Sequence, residues 1–563
     1  LTGARPNRYE GAVEAAAHLE AVVAQQAATI EKLSAEREQF RRLYMDLLER
    51  CEQLERGIVA GKKAERFKGN DAQLTLQMLE MLLDPEAGQS EPEPAAEPQK
   101  VREHERRGHG RAPLAEHLPR VEIVLLPPEV QQQGLDAFLR VGEEVREVLE
   151  RRPASMVVVR IVRPKFIERA AAETAPIVCT APDGEEERAC DEPPPPDTRF
   201  LIAELPDLPI GRGLAGPGML ADTIVRRWQD HMPLHRLSLM YARDGVVLAR
   251  STMCGWHEQL ADQVEPLVDA MLRDAFKAPY LCADATGVLV LAEEQCRKAH
   301  FWVLVAPERH VLYRYTHRHD SAAVDRVLAG YKGYLVADAA TVFDHLYKSG
   351  DVIEVACWAH ARRYFFKALG SEPELAGHAL AYIKGLFRIE RSIKTAPRKK
   401  REQVRREQSA PILDTFFHWC DGQAAVALDG TPIAQALGYA RNQRAALRRF
   451  LDDGRLPLEN NISERNLRRE VLGRKNWLFL GSDEGARVNT IFVSLLASCQ
   501  LHGIEPWAYL RDLFCLVQDW PASRILELAP CFWKQTLQKP ETQQRLAAHV
   551  FRSVTLSDHP SAV

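Results

Sequence analysis

The sequence predicts a multidomain protein of mixed α/β and α class, and three observations carry that expectation. At 563 residues the chain is too long for a single hydrophobic core. Two acidic, Pro-rich stretches, 84–99 and 183–197, break the hydrophobic patterning and mark boundaries. Beyond residue 279, short β-branched and aromatic runs alternate with amphipathic ones, as strands and helices do in an α/β core.

The first element is a heptad. Over residues 13–60 the a positions are Ala16, Val23, Ile30, Arg37, Tyr44 and Cys51, and the d positions are Leu19, Gln26, Leu33, Phe40, Leu47 and Leu54. Dense flanking charge suits a coiled coil, so region 13–83 is expected to be leucine-zipper-like and to join copies of the chain. Arg37 and Gln26 weaken the seam, and a long amphipathic helix packed on its own protein fits the same pattern. Region 84–119 is a Pro/Glu-rich linker followed by basic text with Arg102, Arg106, Arg107, His109 and Arg111. Such text either lies along phosphates or is simply solvated.

Region 120–199 is expected to be a small β-rich module, with strands VEIVLL and ASMVVVRIVRPKF around a short helix, GEEVREVLERR. Region 200–278 is helical. Within it, a turn at Gly245 separates two helices, Val246 and Leu248 pack the elbow, and Ser251 is a plausible cap for the second helix. That is the layout of a helix-turn-helix, with Arg250, Ser251, Thr252 and His257 as groove-facing candidates. Many all-α proteins contain the same corner.

Region 279–484 reads as three strands (YLCADATGVLVL, HFWVLVA, HVLYRYT), then helix, strand, helix and strand, with a helical insertion at 370–455. This order is the one expected of a ribonuclease-H-like core. The insertion contains a basic segment, Arg391–Glu407, with eight Lys/Arg against two Glu. Region 485–563 is expected to be helical.

Composition excludes several classes. Lys+Arg 74 against Asp+Glu 78 gives a net charge of −4 and a pI near 6.6, so any nucleic-acid surface must be local. The 11 cysteines form no CxxC pair and no secretory leader precedes them, which fits reduced, cytosolic thiols. No run of 18 apolar residues exists, so no membrane partner is expected. Leu1 in place of Met fits a processed or truncated reading frame.

Phosphodiester transfer requires an activated oxygen nucleophile and a stabilised leaving oxygen, which two divalent ions held by clustered carboxylates supply. In a ribonuclease-H-like core such ligands sit on the first strand, on the strand after the first helix, and on a later helix. Asp284, Asp338 and Glu464 occupy those places, 54 and 126 residues apart. With 78 acidic residues many other triples fit, Glu459 and Asp344 being the nearest rivals. Glu464 three residues after Asn461 also resembles a capping box, and Asp284 and Asp338 are compatible with strand-end turns.

Longer blocks of text choose among these. GEEVREVLERRPASMVVVRIVRPKF, GPGMLADTIVRRWQDHMPLHR, GVVLARSTMCGW, ADAT, GYKGYLVADA, CWAHARRYFF, LENNISERNLRREVLGRKNWLFLGSDEGA and IEPWAYLRDLF occur in that order. In this respect the chain resembles the insertion sequence sixty-six family of bacterial transposases over residues 14–520. The resemblance implies a DDE triad of Asp284, Asp338 and Glu464 binding two Mg²⁺ (or Mn²⁺) ions. It implies DNA, both transposon ends and target, as substrate, with possible accessory proteins of the same element.

His360, Arg362 and Arg363 follow a core strand near the active-site edge, where they would orient DNA or a metal-bound water, or merely surround a buried Trp358. Arg465, Arg468, Arg469, Arg474 and Lys475 share the Glu464 helix and suit phosphate contacts, against a plain Glu464–Arg468 pair. Three departures from the family stand out. PPEVQQQGLDAF replaces a zinc-binding CxxC pair, leaving only Cys179 and Cys190, so no structural zinc is expected. Ala285 replaces an acidic neighbour of Asp284, and Ala339 a glycine. These leave a catalytically decayed DNA-binding or regulatory homologue, or a nuclease without strand transfer, as alternatives.

Overall fold

The computed structural model describes residues 114, 116–152, 155–168, 200–211, 213–292 and 295–556. The expected coiled coil, nearly all of the linker after it, Cys179 and Cys190 lie outside the described residues.

The β module is a three-stranded sheet, β1 (Arg120–Val124), β2 (Phe138–Arg152) and β3 (Ser155–Glu168), in the order β1-β3-β2. A short helix, α1 (Pro128–Gln133), joins β1 to β2. The segment GEEVREVLERR, expected to be a helix, is the body of β2 and pairs antiparallel with β3 along its length. The reason lies in its charges. Glu144 faces Arg163 across the ladder and bridges both Arg163 (2.5 Å) and Lys165 (2.9 Å). The alternating Glu and Arg that suit i, i+4 helix pairs serve here as cross-strand pairs, while Val148 and Leu149 are fully buried. The β-branched run of β3 outweighs the local helix propensity of its partner.

Helices α2 (Pro217–Ile224), α3 (Leu234–Arg243) and α4 (Arg250–Ala275) follow, with a π-turn at Val225–Gln229 after α2. Next comes a five-stranded sheet of β4 (Tyr280–Val290), β5 (Arg297–Ala306), β6 (His310–Thr316), β7 (Gly333–Ala337) and β8 (Val352–Ala356). Its order is β6-β5-β4-β7-β8, with β4, β5 and β6 antiparallel and β7 and β8 parallel to β4. Helices α5 (Ser321–Val327), α6 (Asp344–Lys348) and α7 (Trp358–Lys367) follow β6, β7 and β8 in turn.

The insertion comprises α8 (Pro373–Ser392), α9 (Arg398–Val404), α10 (Ala410–Ala424), α11 (Pro432–Asn442) and α12 (Arg444–Arg448). Part of its basic segment is internal scaffolding. Arg405 is buried, pairs with Glu390 (2.7 Å) and donates to the carbonyls of Phe450 (2.7 Å) and Leu456 (2.9 Å). Chain order then gives α13 (Asn461–Trp477), α14 (Asp483–Leu501), α15 (Pro506–Leu516), α16 (Pro530–Thr536), α17 (Pro540–Ala548) and α18 (Val550–Leu556). α14 covers the edge strand β6: Ser494 and Ser498 Oγ accept from the backbone N–H groups of Tyr313 (2.8 Å) and Val311 (3.0 Å). No helix among the described residues is long and apolar enough to cross a membrane.

One buried carboxylate joins the β module to α2. Glu150 Oε1 accepts from the backbone N–H of Met219 and of Arg151, each at 2.7 Å. Burial pushes its carboxyl up to about 8, against these hydrogen bonds. Gly216 and Gly218 allow the close approach: a Cβ on Gly216 would lie 2.0 Å from Glu150 Oε2, and one on Gly218 2.3 Å from the Arg151 carbonyl.

Gly218→Ala should therefore destabilise the protein by about 2 kcal/mol or more, read as a fall in the urea midpoint. A second expectation concerns pH. The raised pKa means that the folded state holds its proton more tightly than the unfolded chain. Glu150's contribution is then fully present below about pH 4.5 and is lost as pH rises to about 8. Relative to Glu150→Gln, the native protein should lose stability across that interval; parallel stability–pH curves would contradict this.

Candidate active site

Asp284 lies in the middle of β4, the central strand of the sheet. Asp338 directly follows β7, the neighbouring parallel strand. The register pairs Cys282 with Val336, so two residues further along each strand Asp284 and Asp338 fall at the same level on the same face.

The third carboxylate arrives on α13, and hydrogen bonds along that helix dock it on β4. Asn460, fully buried just before the helix, donates from Nδ2 to the Ala283 carbonyl (2.8 Å), and its backbone N–H meets Cys357 Sγ (3.1 Å). Further along, Arg474 donates to Thr286 Oγ1 (3.0 Å) and to the Gly287 carbonyl, while Tyr313 of β6 donates to the Asn466 carbonyl (2.7 Å). Glu464 lies in the first turn of this docked helix.

Burial, then the charges of Asp338 and Glu464, push the Asp284 carboxyl up to about 6, partly opposed by a hydrogen bond from the Ala285 N–H. Glu464 Oε1 is met by Arg363 Nη2 at 3.1 Å and by His360 Nε2 at 3.5 Å. Burial and the Arg363 charge hold the His360 imidazole below its ordinary range. Neither local alternative for Glu464 is formed. The N-cap is Asn460, without a side-chain cap bond, and the Glu464 carboxylate engages Arg363 in place of Arg468. Among the described residues no group of three or more His, Cys, Asp or Glu is gathered round one point as metal ligands are.

This arrangement coincides with a match in sequence. Residues 212–488 match the family described as Transposase IS66 family, residues 494–531 the IS66 C-terminal element, and residues 59–123 the family described as Transposase C of IS166 homeodomain. The chain belongs to the IS66 family of DDE transposases. Similar proteins from Sinorhizobium fredii carry only the description "uncharacterized protein". One, y4qI, is 30% identical, covering 75% of this chain and 77% of its own. Another, y4hP, is 28% identical, covering 84% and 86%. A third, y4jD, is 26% identical, covering 90% and 98%.

The cations expected to meet DNA divide into two groups in this IS66-family chain. Arg465, Arg468 and Lys475 are exposed on α13, and Arg362 and Arg363 are exposed on α7. Arg474 instead spends its guanidinium on β4, and Arg469 donates to Gln229 (2.7 Å) and to Gln500. At the helical corner, Gly245 adopts φ +80° at the turn, and Val246 and Leu248 are buried as expected. Arg250, Ser251 and Thr252 are exposed, but α4 starts after Ala249 and Ser251 forms no cap bond.

His257 is a correction. It is buried between Met253, Trp256 and Leu260 on the core face of α4, its Nε2 lies 3.0 Å from Thr223 Oγ1, and its ring packs on Trp228 at 4.9 Å. Burial pushes its imidazole down to about 3, which keeps it neutral. Its helical spacing from Met253 and Leu260 signals a core position.

Sequence reasoning missed Asn460 and a buried chain of polar groups behind the site. Trp228 Nε1 donates to Asn489 Oδ1 (2.6 Å), and Asn489 Nδ2 donates to Glu470 Oε1 (2.9 Å). Only the spacing of Glu470 from buried Leu467, on the core face of α13, could have marked it. Replacing Asn460 with Ala should strand the Ala283 carbonyl and cost about 1–3 kcal/mol. Chemical denaturation checks this; an unchanged midpoint would mean that the anchor is dispensable.

Proposed function

We propose that this protein nicks DNA at the ends of its element and joins the exposed 3′ strands to target DNA, on a ribonuclease-H-like core. The observation that carries the reading is the register that sets Asp284 and Asp338 level on adjacent parallel strands, with the Glu464 helix hydrogen-bonded to β4 on either side of Asp284. Carboxylates on two adjacent strands and a neighbouring helix suit a divalent counter-ion. The donor set fits: three hard carboxylates on a central strand, its neighbour and a docked helix. Asp284, Asp338 and Glu464 would hold two Mg²⁺ or Mn²⁺ ions, which when bound supply Lewis-acid stabilisation of the entering and leaving oxygens.

The chain's own groups do the rest. Docking of α13 on β4 would hold Glu464 at the sheet before DNA arrives. Arg363 offsets the charge of Glu464, the neutral His360 ring lies 3.5 Å from the same oxygen, and both stand where they can steer a phosphate. Arg465, Arg468 and Lys475 offer phosphate contacts along the same helix, and Arg362 on α7 extends them. The exposed Arg250, Ser251 and Thr252, at the start of α4, would be the leading residues of a recognition helix.

In the first step water displaces a 3′ oxygen, leaving a free 3′-hydroxyl. That hydroxyl then attacks a target phosphodiester and displaces its 3′ oxygen, so one bond forms as one breaks and no residue is esterified. Self-association through the heptad would bring two ends together, with or without accessory proteins of the element.

Glu464→Gln should lower Mg²⁺-dependent cleavage and joining by about 10³-fold or more while DNA binding stays within a few fold. Cutting by Glu464→Gln at the native rate would show the triad to be misassigned. Native protein that nicks without joining would be a nuclease, and binding without either reaction would mark a regulator. Arg465→Ala with Arg468→Ala should weaken duplex binding for all sequences and reduce the salt slope by about 2, measured by fluorescence anisotropy.

A further inference from the structure

The loop that closes α13 points its apolar side chains outward. Leu478 has φ 65° and ψ −53°, a backbone conformation that a branched side chain adopts only under strain, and it is 68% exposed. Phe479 beside it is 43% exposed. The strain is held from both sides. Leu478 N–H bonds the Arg474 carbonyl (2.7 Å), while Leu480 N–H bonds the Leu289 carbonyl (2.9 Å) and the Leu480 carbonyl accepts from Leu291 N–H (2.8 Å). Leu480 itself is buried with Val288, Val290 and Phe301. The segment thus lies along the far end of β4, where Leu289 (46%) and Leu291 (50%) also face outward. A well-anchored loop that spends backbone strain to expose Leu and Phe is built to meet something apolar.

We propose that Leu478 and Phe479 form a wedge that enters and unstacks a base step of the DNA duplex held by the active site. This rests on the DNA-joining function proposed above. Charge complementarity selects DNA over a protein partner: the exposed face of α13 leading to the loop carries Arg465, Arg468 and Lys475. Apolar side chains flanked by phosphate-binding cations are the arrangement with which proteins open a base step.

The distance is also set. Leu289 lies five residues beyond Asp284 on β4, about 17 Å at ~3.3 Å per residue. Leu478 lies fourteen residues beyond Glu464, about 21 Å at 1.5 Å per residue. Two elements leaving the carboxylates therefore reach the same place, about five or six base steps from the cleaved phosphate at ~3.4 Å per step.

The test uses the full-length protein and a duplex carrying the terminal repeat that borders its coding sequence. 2-Aminopurine is placed singly at each step about three to nine from the cleavage point. The native protein should raise fluorescence about twofold or more at step five or six only. Phe479→Ala and Leu478→Gly should abolish the rise while duplex binding stays within about threefold. Leu478→Gly relieves the strain, so its fold should be kept or strengthened.

A duplex that the native protein binds without any rise, or a rise that survives both variants, overturns the wedge and leaves the catalytic reading standing. So does a loss of oligomer in Phe479→Ala measured by sedimentation, which would make the loop a protein contact. Native protein that neither binds nor cuts this DNA removes both proposals.

Discussion

The proposed metal site requires the elements that carry its three carboxylates to be fixed relative to one another, and the docking of α13 on β4 is the constraint that does so. Asn460 ties the start of the helix to the Ala283 carbonyl, one residue before Asp284, and Arg474 ties its later turns to Thr286 and Gly287 on the other side. The helix cannot slide along the strand without breaking these bonds at both ends. Behind them, Glu470, Asn489 and Trp228 link the buried side of α13 to α14 and the π-turn after α2. The elements that carry Asp284, Asp338 and Glu464 are therefore held in place by hydrogen bonds and packing away from those carboxylates.

The same helix divides its cations between structure and solvent. Arg469 and Arg474 hold it in place, whereas Arg465, Arg468 and Lys475 face outward. Counting basic residues along the sequence cannot make that division, because it depends on which face of a helix meets the sheet. The insertion shows the same effect: Arg405, near the end of its basic run, satisfies buried carbonyls and Glu390.

Much of the core was legible. Alternating apolar runs announced all five strands of the main sheet, and the turn at Gly245 with its buried elbow was readable from residue types. The Asp284–Asp338 relation follows from one register pair, Cys282 with Val336, once the strands are adjacent. Three features were hidden. Residues 142–152 of β2 read as a helix because Glu and Arg at mixed spacing satisfy both kinds of pairing, and only the long β3 decides between them. His257 looked like a groove residue because it sits on the second helix of the corner, yet its i−4 and i+3 neighbours, Met253 and Leu260, bury it. Asn460 carried no signal beyond its place before Glu464, since its role is a contact with a strand 177 residues away in sequence.

The account stands or falls on whether Asp284, Asp338 and Glu464 serve one divalent-metal site. Mn²⁺ binding by the full-length protein on end-containing duplex, followed by electron paramagnetic resonance, tests it directly. Two ions per chain in the native complex, spin-coupled by their proximity, and loss of that signal in Asp338→Asn with the duplex still bound, are the results predicted. Native-like Mn²⁺ binding by Asp338→Asn, or no saturable binding by the native complex, would contradict it.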